Sequence, residues 1–364
     1  MRNKSKIDEL NDVRADADSC KTARQGMHYA KKACAAATVS LTLTAFASVA
    51  NAGVLIGVVF PTQNQVRWAW EQKILVAQAK ANGDDVIVQF SNESAAMQKN
   101  QVESMIQRKV KVLVMAAIDA QAASGLVKAA QAQGIKVITY DRGVTSATAD
   151  YHISRNNYEM GTIQAESALG AVPCGKYAII RGDQSTLAQV DMSKAYDKLI
   201  KTKACVNVVY DTMTPGWDTS TAQREAEAAL QKSPDIKAFV VMWDNGAQAV
   251  VQALKSAGKR PGEIWVTGSD ASTPSLAYIA QGWQSQTTWT PIDKMAKDAA
   301  DIAHALGSGS PTPAPSATVN GVPTDYVKLT SVTRANLCEF VMTIAPKGWV
   351  TEQQVFGPGA KTCK

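Results

Sequence analysis

From residue 53 onward, short runs rich in Val, Ile and Leu alternate with longer segments whose apolar residues are spaced for one face of a helix. The runs at 54–60, 86–90, 110–116 and 136–140 are too short for helices and mostly apolar, as strands buried on both faces are. The segments between them, 66–82, 95–109 and 120–133, read as helices; Asn82-Gly83 closes the first and Gly134 the third. Strands alternating with helices of this length predict βαβ units and a parallel sheet.

The order then repeats. Strands are expected at 177–180, 206–210, 238–243 and 264–268, with helices near 188–202, 220–231 and 246–257. In each half the fourth strand leads to an aspartate, Asp141 and Asp270, and the first-strand-to-aspartate spans are similar, 141 − 54 = 87 and 270 − 177 = 93. An internal duplication follows: an α/β chain of two Rossmann-like lobes with parallel sheets. Open α/β sheets bind ligands beyond the carboxyl ends of their strands, so facing lobes would bring Asp141 and Asp270 to one gap. The Gly, Ser and Pro run at 307–316 is expected to be a loop, and the tail 325–364 to be loop-rich.

Upstream, Lys31 and Lys32 precede an apolar, small-residue stretch ending in Ala50-Asn51-Ala52. This is the pattern of a secretory signal, with Met27 as the start and cleavage before Gly53. The stretch is too short and too rich in Thr and Ser to span a bilayer. The protein is expected to work outside the cytoplasm, where there is no ready ATP or reduced nicotinamide. No Walker loop, Gly-x-Ser-x-Gly or His-Glu-x-x-His occurs, so no enzyme and no cofactor are expected. A leader also stands where a repressor would need its helix-turn-helix.

Removing residues 1–52 leaves 38 − 8 = 30 basic and 32 − 5 = 27 acidic residues, too even a balance to favour nucleic acid or a membrane surface. Four cysteines remain, Cys174, Cys205, Cys338 and Cys363, which allow three connectivities. Cys174–Cys205 and Cys338–Cys363 are favoured because each pair flanks a local segment. A zinc site is disfavoured by the wide spacing and by only two histidines, His152 and His304, beyond the leader.

Several stretches carry a family pattern: Pro61-Thr62 followed by Arg67-Trp68, 101–106, 110–119, Asn156-Asn157, Gly216-Trp217 and Gly268-Ser269-Asp270-Ala271. The strongest is Gly-Ile-Lys-Val-Ile-Thr-Tyr-Asp-Arg at 134–142. In these the chain resembles the exported sugar-binding proteins of bacterial ABC importers, on the xylose-binding and multiple-sugar-binding branch of the ribose/galactose-binding superfamily. The resemblance implies two hinged lobes, 53–155 with about 290–324 and 156–289 with about 325–364. It implies a monomer that closes on a monosaccharide, a xylose-like aldose first, and hands it to an importer permease, with a chemoreceptor as a further partner. A different polyol, a furanosyl signal or a nucleoside-like ligand is the alternative.

The chemistry of the residues agrees. Carboxylates accept two hydroxyls at once, guanidinium groups donate to hydroxyl and ring oxygens, and flat aromatics cover the C–H face of a sugar. Arg67, Trp68, Asp141 and Arg142 are the candidates from the first lobe, Trp217, Asp244 and Asp270 from the second, and Asn156 or Asn157 from the hinge. Trp243 and Trp289 lie beside cleft segments, although a tryptophan more often simply packs, and an aspartate after a strand often only caps a helix. The chain also departs from the family. The segment 184–189 lacks the Asp-Asn-Asn run of xylose binders, the hinge reads Ser154-Arg155-Asn156-Asn157, one strand end reads Trp243-Asp244-Asn245, and Thr290 replaces a lysine before proline. Fewer hydroxyl contacts and more apolar surface follow.

Overall fold

The computed structural model describes residues 53–363; the expected leader lies outside the described residues. The chain begins with β1 (Leu55–Phe60), α1 (Val66–Ala81), β2 (Asp85–Phe90), α2 (Ala95–Gln107), β3 (Val112–Met115), α3 (Ala120–Gln131), β4 (Lys136–Tyr140) and β5 (Tyr151–Arg155). It continues through α4 (Asn157–Ala171), β6 (Gly175–Ile180), α5 (Leu187–Leu199), β7 (Val206–Thr212), α6 (Thr219–Lys232), β8 (Ala238–Val241), α7 (Asp244–Ser256), β9 (Trp265–Val266), α8 (Thr273–Gln281) and β10 (Gln286–Trp289). Then come α9 (Ile292–Ser308), β11 (Ala317–Val319), β12 (Val322–Val327), β13 (Thr330–Thr333) and α10 (Leu337–Glu339).

The first lobe is a seven-stranded sheet in the order β11-β12-β5-β4-β3-β1-β2, parallel except for β11. Alternation decides which face each side chain meets. Ile56, Val58, Phe60, Val112, Val114, Ile138 and Tyr140 pack with residues of α1 and α9. Val59, Leu113, Met115 and Val137 pack on the other face with α2 and α3. A Cβ on Gly57 would lie 3.0 Å from Met105 Sδ, so α2 approaches β1 more closely than a larger residue allows.

The second lobe is a parallel sheet in the order β7-β6-β8-β9, with Tyr177, Ile179, Phe239 and Val240 in its core. β10 pairs antiparallel with β13 and meets that lobe through a Ser269–Thr288 bridge. The fourth strand of this half is only two residues long; the chain reaches Asp270 through irregular backbone.

Three segments cross between lobes: β5 to α4, β10 to α9, and β12 to β13. β12 keeps the chain in the first sheet as far as Val327, beyond the crossing expected near 324, and β13 gives the tail a strand the sequence does not signal. Cys174–Cys205 ties together the starts of β6 and β7, and Cys338–Cys363 pins the tail to α10. Among the described residues no helix is long and apolar enough to cross a membrane, and no cluster of ligating side chains could hold a metal.

Candidate functional site

The cleft is organised around Arg67, in the first turn of α1. Gln65 caps that helix without a side-chain hydrogen bond, and Arg67 turns inward until it is 4% exposed. Its guanidinium meets three carboxylates: Nε donates to Glu71 Oε1 at 2.7 Å, Nη2 to Asp141 Oδ2 at 2.7 Å and Nη1 to Asp270 Oδ1 at 3.2 Å. The two strand-end aspartates, one from each lobe, are thus joined through a single side chain. Burial acts to lower the Arg67 pKa, but Glu71 and Asp270 outweigh it and raise it, so Arg67 stays charged. Behind it Tyr140 donates to Glu71, whose pKa burial raises.

Arg155, the last residue of β5, also pairs with Asp141. Burial first, and the neighbouring Arg67 charge second, lower its pKa to about 10. Arg142 is held by both oxygens of Glu93, at 2.9 and 3.0 Å. Its guanidinium carbon lies 5.7 Å from the Trp68 ring centre and 5.8 Å from that of Trp217, within cation–π range of both. Trp217 ends the 3-10 turn Pro215–Trp217, and its ring edge covers Gly182, where an added Cβ would collide at 2.1 Å. Trp243 stands perpendicular to it, ring centres 5.4 Å apart.

Backbone strain gathers here. Asp141 has φ 61°, Trp217 φ 53°, Asp270 φ 102° and Glu93 φ 54°, all in territory that favours glycine. Non-glycine residues hold such angles only where the surroundings compel them, at roughly 1–3 kcal/mol each, and such residues cluster at functional sites.

The space they bound is about 370 Å³ of atom-free volume, its mouth included. It is lined by Gln65, Arg67, Trp68, Asp141, Arg142 and Arg155 from the first lobe and by Ala188, Met192, Trp217, Met242, Trp243, Ser269 and Asp270 from the second. Trp217 Nε1, Trp243 Nε1 and Arg155 Nε are buried donors without a partner among the described residues.

Seven of the sequence candidates stand on this wall: Arg67, Trp68, Asp141, Arg142, Trp217, Trp243 and Asp270. Three do not. Asn156 caps α4, accepting from Glu159 N. Asp244 opens α7 fully buried and accepts from Ser272 N and Oγ, Gln284 Nε2 and Thr287 Oγ1. Burial, then the Asp270 charge, raise its pKa to about 7. Trp289 packs against Phe340 and Trp349 in a satellite core built by the tail. The sequence reading also misses wall residues. Arg155 sits beside the more conspicuous Asn156, and Met192 and Met242 look like ordinary core.

A second cavity, about 1060 Å³ with its mouth, opens on the hinge side. The 143–149 loop, His152, Asn156, Asn157 and the β11–β12 hairpin line it from one side, Leu187 and Asp191 from the other. Arg155 borders both spaces. His152 Nδ1 contacts Thr139 Oγ1 and the Thr139 carbonyl, and burial lowers its pKa to about 4.

A family model described as a periplasmic binding protein domain matches residues 56–311. The D-xylose-binding periplasmic protein of Escherichia coli is 32% identical over 311 residues, covering 83% of this chain and 93% of the relative. A multiple sugar-binding periplasmic protein of Azospirillum brasilense is 27% identical, covering 82% and 90%. Among solved structures, a Clostridium phytofermentans ABC-transporter solute-binding protein with bound β-D-glucose aligns with a TM-score of 0.74 at 25% identity, covering 83% of this chain and 99% of that one. The chain belongs to the type I periplasmic binding protein family, on the branch that holds the xylose-binding and multiple-sugar-binding members.

Proposed function

We propose that this protein captures a neutral monosaccharide between its lobes and delivers it to an ABC importer, acting as a binding protein rather than an enzyme. The observation that carries this reading is the convergence of Asp141 and Asp270, both in strained backbone, on Arg67 in a cleft walled by Trp68 and Trp217. Carboxylate and guanidinium groups suit hydroxyls, and the indoles suit the C–H face of a sugar ring.

Charge supports a neutral ligand. The three cleft arginines, Arg67, Arg142 and Arg155, already face four carboxylates, Glu71, Glu93, Asp141 and Asp270. No positive charge is left over for a sugar acid or sugar phosphate. The relatives named for D-xylose and for multiple sugars favour an aldose, xylose-like first, and the same relatives favour a periplasmic location.

Titration calorimetry against neutral aldoses, polyols, sugar acids and sugar phosphates tests the reading. Binding of at least one neutral sugar, with none of the anions, is expected; failure of every neutral sugar and polyol overturns it.

A further inference from the structure

The two walls of the cleft differ in kind. The first lobe supplies three arginines, Asp141, Gln65 and a single indole, Trp68. The second supplies one carboxylate, Asp270, and one hydroxyl, Ser269, together with two indoles, a methyl and two thioethers. The two indole N–H groups are donors without a partner among the described residues, but the other polar atoms beside the methyl and the thioethers are already engaged. Ser269 Oγ donates to the Met242 carbonyl at 2.7 Å, and Met242 Sδ accepts from Gly182 N at 3.2 Å. Along α5, Ala188 and Met192 are four residues apart and face the cleft together, whereas Leu187 and Asp191 face the hinge cavity. The charged residue of that turn, Asp191, therefore points away from the ligand space.

We propose that the ligand is a deoxy sugar: a monosaccharide with a methyl or methylene group, turned toward Ala188, Met192 and Met242, where an ordinary aldose has a hydroxyl. Its hydroxylated edge faces Arg67, Asp141 and Arg155. The proposal rests on the reading of the cleft as a sugar site and names the class of sugar. A hydroxyl aimed at the thioether floor gives up its water and finds only weak sulfur acceptors, whereas a methyl gains contact there. Pockets of this kind discriminate by about ten- to a hundred-fold.

The test is calorimetry on matched pairs: 6-deoxy-D-galactose against D-galactose, 6-deoxy-L-mannose against L-mannose, 6-deoxy-D-glucose and 2-deoxy-D-glucose against D-glucose. The deoxy member is expected to bind at least tenfold tighter in one pair, and Met192→Gln to shrink that ratio. Ala188→Ser, a smaller change, should shrink it too and serves if Met192→Gln does not fold. A hydroxylated member equal to or tighter than its deoxy partner in every pair overturns the proposal while leaving the sugar reading in place. A ratio untouched by the substitutions also overturns it. Failure of every sugar in the set to bind overturns the deoxy-sugar proposal, and the sugar reading falls with it only if xylose, the other neutral aldoses and the polyols fail as well.

Discussion

At Asp270 geometry and chemistry pull in opposite directions. Its carboxylate reaches Arg67 across the cleft, while its φ of 102° suits glycine. Asp270→Ala and Asp270→Gly should each weaken sugar binding by roughly 1.5–3 kcal/mol for each charged hydrogen bond lost. They should differ in stability, the Gly variant melting higher than the Ala variant because it relieves roughly 1–3 kcal/mol of strain. Equal or reversed melting temperatures would show that the backbone there is unstrained. Asp244 is the contrasting case. Its four donors come from Ser272, Gln284 and Thr287, so Asp244→Ala should cost about 3 kcal/mol in chemical denaturation by leaving buried donors unpaired. Ligand affinity of the folded fraction should stay near that of the wild type; a large loss of affinity would place Asp244 at the ligand after all. The two aspartates look alike in sequence because both follow predicted strands. Only partners 28 to 43 residues away tell the buried one from the cleft one.

Among the elements, the regular ones are the most legible. β1 to β4 and α1 to α3 follow from apolar runs separated by Asn, Asp, Ser and Gly, and Ser94, Asp119, Asn156, Thr186 and Asp218 each accept the backbone hydrogen bond that starts a helix. β10, β12 and β13 are illegible for a physical reason: QTTW, VPTDYV and TSVT carry too little apolar alternation, and pairing with distant strands creates them. Trp289 belongs to that group, since its packing partners lie in the tail. Two tests belong at this scale. His152 on β5 has a folded pKa near 4, below the ordinary value near 6.5, so the unfolded chain binds its proton first. Its contribution is intact above pH 6.5 and is lost as the pH falls toward 4. The loss should be about 2 kcal/mol, discounted because the ring keeps some solvent contact, and His152→Asn should flatten that part of the stability profile. An unchanged profile would mean that the ring protonates freely in the fold. Reducing the disulfides should lower the melting temperature, each bridge contributing about 2–4 kcal/mol by closing loops of 31 and 25 residues; an unchanged melt under reductant would contradict this.

For the whole molecule, the three crossings leave the lobes free to hinge, and the Arg67–Asp270 pair is a contact that opening would break. Ligand hydroxyls would then compete for groups that otherwise satisfy one another across the gap. The duplicated halves make this architecture readable from sequence, because each ends its fourth strand region on an aspartate. The unequal character of the two walls is not readable that way: Met192 and Met242 occupy positions that periodicity assigns to a core. The decisive measurement is a crystal structure of the protein saturated with a sugar that calorimetry shows to bind. The account predicts the ring between Trp68 and Trp217, with hydroxyls within hydrogen-bond distance of both Asp141 and Asp270. A sugar seated instead in the hinge cavity beside His152, with neither aspartate in contact, would contradict it.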